Sequence, residues 1–135
     1  MELEKQVTSL ALSKKLKKLG VKQDSLWYWH RVMMGREDFD NYEIRLSDKI
    51  DEMGDGWKGM HQEYFSAFTP AELGEKLPSR ANNKNVVFSK IGRKYEIYLH
   101  RKDEEIVQKE YFRAKTEANA RAKMLIYLKE NKIIP

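Results

Sequence analysis

The sequence predicts an α+β fold: an N-terminal helix pair, a small antiparallel sheet of four to five strands, and a C-terminal helix packed on one face of that sheet. Three observations predict it. Residues 10–34 and 117–131 space their apolar side chains at three and four, as helices do. Residues 42–46 and 85–112 alternate apolar with polar, as half-buried strands do. Capping residues stand at the boundaries between these segments. The 135 residues, 41% of them apolar, suit a single domain that buries its core without staples, residues 1–35 forming a helical part and 36–135 the α+β core.

Ser9 is placed to cap a first helix carrying Leu10, Leu12, Leu16 and Leu19, and Gly20 to end it in a left-handed conformation. A second helix is expected over Gln23 to Met34, with Leu26, Trp29 and Met33 on its inner face, stopped by Gly35 and "REDFD". Tyr42, Ile44 and Leu46 alternate with Glu43, Arg45 and Ser47 to make a strand. "DEMGDGWKGM" reads as a glycine-rich turn, and "HQEYFSAF" as the returning strand. In "FTPAELGEKLP", Thr69 is an N-cap, Pro70 occupies the first helical position, Glu72 completes a capping box, and Phe68 staples onto Leu73. Pro78 ends that short helix, and "SRANNKN" is expected as a loop. "NVVFSKI", "KYEIYLHR" and "EEIVQKEYF" follow as strands, with Tyr95, Ile97 and Leu99 on one face. Thr116 caps the last helix, whose inner stripe is Ala118, Ala122, Leu125 and Leu128, with Glu117 at its positive end.

The composition excludes more chemistry than it offers. With no cysteine, disulfides, thiolate metal sites and cysteine nucleophiles are ruled out, and a reducing cytoplasm is compatible. The charged N-terminus lacks the apolar run of a signal peptide, and no apolar stretch is long enough to cross a membrane. His30, His61 and His100 stand far apart without a ligand-spaced partner, so no metal or other cofactor is expected. "GDGWKG" lacks the spacing of a phosphate-binding loop, and Asp51, Asp55 and Gly56 miss the calcium-loop pattern. Glu104 and Glu105 sit in a charged turn where solvent keeps them ionised. The inventory therefore predicts a protein that is not an enzyme.

The net charge of +5 is unevenly distributed: +4 over residues 1–35, −5 over 36–80 and +6 over 81–135. Basic ends around an acidic middle suit an anionic partner less cleanly than a uniformly basic chain would, and the alternative is that the segments neutralise one another in the fold.

"LGVKQDSLWYWHR" resembles the helix-turn-helix of MerR-type and excisionase-type regulators at Leu19, Gly20, Val21, Ser25, Leu26, Tyr28 and Trp29. The resemblance implies duplex DNA as a partner, with Lys14, Lys15, Lys18, Lys22, Gln23 and Arg31 as contacts. Three positions depart from the pattern: Lys22 replaces a small capping residue, Asp24 brings a negative charge toward phosphates, and Trp27 stands where an arginine is usual. Trp27, Tyr28, Trp29 and His30 on one helix cannot all face the core. Trp27 and Tyr28 are therefore the candidate contacts for a protein partner.

The helix–three strands–helix order of the C-terminal half is similar to that of double-stranded RNA-binding domains. Those cluster lysines at the start of the last helix, whereas here Glu117 follows the cap, so RNA is not the expected partner. Over most of the chain, "LSKKLKKLGVKQDSLWYW", "AFTPAELGEKLP" and "TEANARAKMLIYLKENKII" resemble a group of small phage- and prophage-encoded proteins without an assigned activity. The resemblance implies a bacterial, cytoplasmic accessory protein. The expectation is a non-catalytic binding protein, with a protein partner first and DNA as the alternative.

Overall fold

A computed structural model describes residues 2–33, 43–46 and 61–135; at 31–33, 43–46 and 61–63 it is the backbone alone that is described. The chain opens with a single helical turn, α1 (Leu3–Gln6), and then α2 (Leu10–Lys18). Ser9 caps α2 by accepting from the Leu12 N–H at 3.3 Å, and Gly20, at φ 85°, carries the chain out of it. Leu16 lies fully buried beneath this helix.

The predicted second helix is a strand. Trp27–Met33 forms β1, the centre of a three-stranded antiparallel sheet, flanked by β2 (Glu43–Leu46) and β3 (His61–Ala67). Tyr28 faces Ser66 and Arg45 across its two neighbours, and Trp29 faces Phe65 and Ile44. Two physical reasons decide against helix. A run of aromatic and β-branched residues favours the pleated surface. The informative periodicity is two rather than three or four, because Tyr28 and His30 are buried while Trp27 and Trp29, which alternate with them, stay partly exposed. Leu26, expected inside, is 61% exposed. No recognition helix follows the Gly20 turn, so the helix-turn-helix expectation does not hold. The predicted stop at 35–40 and the glycine-rich turn at 51–60 lie outside the described residues.

The second half follows its predicted order closely. Thr69 caps α3 (Pro70–Lys76), accepting from the Glu72 N–H, while the Glu72 carboxylate accepts from the Thr69 N–H at 3.0 Å. The segment expected as a loop is a tight hairpin instead. β4 (Arg80–Ala81) turns through Asn82 and Asn83, at φ 55° and 61°, into β5 (Lys84–Ile91). Asparagine tolerates that left-handed conformation better than most residues, and two such residues in succession make the turn a hairpin prefers. β6 (Lys94–His100) and β7 (Tyr111–Ala114) complete a four-stranded sheet in the order β4-β5-β6-β7. β7 starts later than predicted because Gln108–Glu110 is a 3₁₀ turn that aims the buried Glu110 carboxylate at Lys84, 2.5 Å away. The strands thus divide between two sheets, where one sheet of four to five was expected.

The last helix, α4 (Glu117–Glu130), is capped by Thr116 and packs on β6 and β7 as predicted. It is apolar on two sides. Ala118, Ala122, Leu125 and Ile126 join Leu16, Val21, Phe68 and Leu73 in one core, beneath α2 and α3. Ala120, Met124 and Leu128 join Ala81, Ile97 and Leu99 in a second, against the sheet. A helix buried on both flanks holds the two halves of the core together. Its other consequence is functional: the opposite face of the four-stranded sheet receives no helix from α3 or α4.

Candidate nucleic-acid interface

β7 is the edge strand of its sheet, and its C-terminal end runs into the start of α4. The register that pairs Tyr95 with Ala114 brings Lys94 alongside the end of β7. Arg113 and Lys115, two residues apart, flank that alternation, and Lys123 reaches across from α4 to donate to the Arg113 carbonyl at 2.7 Å. The result is a groove of about 490 Å³ in which all four charged lining residues, Lys94, Arg113, Lys115 and Lys123, are basic, with Ser9 and Asn119 supplying neutral polar walls. Asn119 is itself fixed, accepting the Ser9 N–H at 2.8 Å.

Beside the groove lies the face of the sheet that, among the described residues, carries no helix. Alternation along β6 sends Ile97 and Leu99 into the core and presents Tyr98 and His100 on the other side. Tyr111 of β7 sits directly across from Tyr98. The three rings form a row: Tyr98 and His100 meet edge-on at 6.4 Å, and Tyr98 and Tyr111 lie 5.8 Å apart, tilted by 31°. Arg113 joins row and groove, its guanidinium 5.4 Å above the Tyr111 ring and its Nε donating to the Tyr111 hydroxyl at 2.8 Å and to Glu96 at 3.0 Å. The Tyr111 hydroxyl, partly desolvated and hydrogen-bonded to Glu96, is held above the usual tyrosine range. The Arg113 guanidinium is raised further by its bond to Tyr111 and stays charged at any ordinary pH.

The residues singled out from sequence fall elsewhere. Lys14, Lys15 and Lys18 are exposed on α2, but Lys14 rides over the Phe65 ring at 5.7 Å and Lys15 pairs with Glu130 at 3.6 Å. Lys22 is exposed in the segment before β1. Gln23 is committed internally: its Nε2 donates to the Val21 carbonyl, and its Oε1 accepts the Ser66 N–H. It is therefore not placed to read a base. Asp24 is ion-paired with Lys76 at 2.9 Å. The Arg31 side chain lies outside the described residues.

Of the two aromatic candidates, Tyr28 is 8% exposed, edge-on to Tyr64 at 5.6 Å, and donates its hydroxyl to the Gln23 carbonyl. Burial raises its pKa. It is a core residue and makes no surface contact. Trp27 is partly exposed and lines a second groove, about 360 Å³, together with Leu3, Pro70 and Tyr95, with Lys5, Lys115 and Glu117 among its charged residues.

No protein-family profile, curated protein or solved structure matches this chain. Among the described residues no three of histidine, aspartate and glutamate gather as metal ligands, and no helix is long and apolar enough to cross a membrane. What the arrangement offers is a positively charged trough bordered by flat aromatic rings. The basic residues of the groove span thirty positions of sequence. The signal that could have found them is the strand register, which sets Lys94 beside the 113–115 alternation.

Proposed function

We propose that this chain is a non-catalytic nucleic-acid-binding protein that holds a phosphodiester backbone in the groove of Lys94, Arg113, Lys115 and Lys123. One observation carries the reading: every charged side chain lining that groove is basic. Arg113 is paired with Glu96 beside the groove, but the groove lining itself carries no carboxylate, so a polyanion held there neutralises its excess positive charge while releasing condensed counterions. The surrounding sequence points the same way, with ten basic and five acidic residues between positions 80 and 115. The resemblance to phage-encoded accessory proteins fits such a role without specifying it.

Fluorescence anisotropy of a labelled oligonucleotide of about 16 nucleotides tests this directly. Four single-strand phosphate contacts reduce affinity about 50-fold between about 50 and 200 mM salt. Binding that ignores salt, or no binding at the lower salt, contradicts the proposal.

A protein partner is the second reading, and Trp27 supports it. A partly exposed indole in a groove of mixed polar and apolar lining, within the size range of ligand pockets, is a suitable anchor for a side chain from another protein. Pull-down from the host cell after nuclease treatment distinguishes the two. A protein retained at high salt and lost with Trp27→Ala supports this reading, and recovery that nuclease abolishes removes it.

A further inference from the structure

Resting on the nucleic-acid reading, we infer that the ligand is a single strand, whose bases lie on the row His100, Tyr98 and Tyr111 while its phosphates follow the adjoining basic groove. Rings on a sheet face reach only bases that are free of a complementary strand, because paired bases are stacked on one another and present their edges alone. Every base has a π-face, so such a platform suits single strands irrespective of sequence.

The geometry meets the requirements of that platform in three ways. Tyr98 and His100 meet edge-on, and all three rings are partly exposed, so each offers some ring surface to a base. The row follows β6 from His100 to Tyr98 and then crosses to Tyr111 on β7, so two strands contribute to it. The carboxylate on this face, Glu96, is 6% exposed and neutralised by Arg113 at 3.0 Å, so it does not repel a phosphate. Arg113 lies where row and groove meet, its guanidinium carbon 5.4 Å from the centre of the Tyr111 ring, and is therefore the residue placed to touch both base and backbone.

The test uses the intact chain with three probes of one sequence: a DNA strand, the corresponding RNA strand, and the DNA duplex. Removing a stacking ring lowers single-strand affinity by about 5- to 150-fold per base. Tyr98→Ala and Tyr111→Ala are expected to do so, Tyr98→Phe to retain binding, and the duplex to bind more weakly and respond to neither alanine variant. A strand carrying 2-aminopurine loses fluorescence on binding as the base stacks. The relative affinity of the two strands assigns the ligand to RNA or DNA. Equal binding of strand and duplex, with both alanine variants unchanged, overturns the single-strand inference and leaves the basic groove standing. Failure of all three probes to bind overturns the groove reading as well.

Discussion

Lys84 and Glu110 make a close charge pair at the sheet's edge, 2.5 Å apart, with the Glu110 carboxylate almost wholly enclosed. Hydrogen bonding to that carboxylate raises the Lys84 pKa, and desolvation, followed by the charge of Glu110, raises Tyr127. Both groups have folded values above their unfolded ones, so each contributes stability that is fully present below the unfolded value, about 10. That contribution is lost as pH rises through the folded values. The denaturant midpoint is therefore expected to hold from neutral pH to about pH 10 and fall beyond it. Glu110→Gln should lower the midpoint at neutral pH and flatten the alkaline fall; an unchanged fall would show that this pair does not set it. Asn83 offers a second test at this scale. Its φ of 61° costs a β-branched side chain about 1–2 kcal/mol, so Asn83→Val should destabilise by that amount and Asn83→Gly by little or nothing.

Among the elements, α3 was the most legible in sequence and β1 the least, and the contrast has a physical cause. Thr69, Pro70 and Glu72 specify a helix start within four residues, through bonds that close locally. Thr69→Ala removes the cap and should cost about 1 kcal/mol in chemical denaturation; no loss would mean that tertiary contacts alone hold the helix. β1 has no such local signature. Its backbone groups are satisfied by residues 61–67 and 43–46, well removed in sequence, and that pairing overrides an apolar spacing at Leu26, Trp29 and Met33 that reads equally well as helix. The C-terminal helix was legible as to place and cap but only half so as to environment. Its alternate residues serve two cores, one against α2 and α3 and one against the sheet. Leu125→Ala and Met124→Ala, one from each core, should each cost about 2–5 kcal/mol. Ala122→Leu should overpack the close approach to α2 and α3, at about 1–3 kcal/mol. A variant from only one core that proves neutral would show that side to be loosely packed.

At the scale of the molecule, the division into two sheets determines where function can reside. The last helix packs on one side of the four-stranded sheet, and among the described residues no helix packs on its other face, with His100, Tyr98 and Tyr111, beside the basic groove. The basic character of residues 81–135 was visible in the sequence, but its assembly was not: Lys94, Arg113, Lys115 and Lys123 are unremarkable singly and converge only through the pairing of β6 with β7 and the seat of α4. The lysines of α2, conspicuous in sequence, are drawn instead toward Phe65, Tyr64 and Glu130. Charge reversal separates these two basic surfaces most directly, because Lys94 and Lys115 are exposed and so are Lys14 and Lys18. The measurement is single-strand affinity against salt for Lys94→Glu/Lys115→Glu and for Lys14→Glu/Lys18→Glu. The first pair is expected to lose affinity, its logarithmic salt slope falling from about −2.8 to about −1.4 or less in magnitude, while the second pair behaves as the parent chain. Loss of binding in the second pair with the first unaffected would contradict the assignment of the backbone to the Lys94–Lys115 groove.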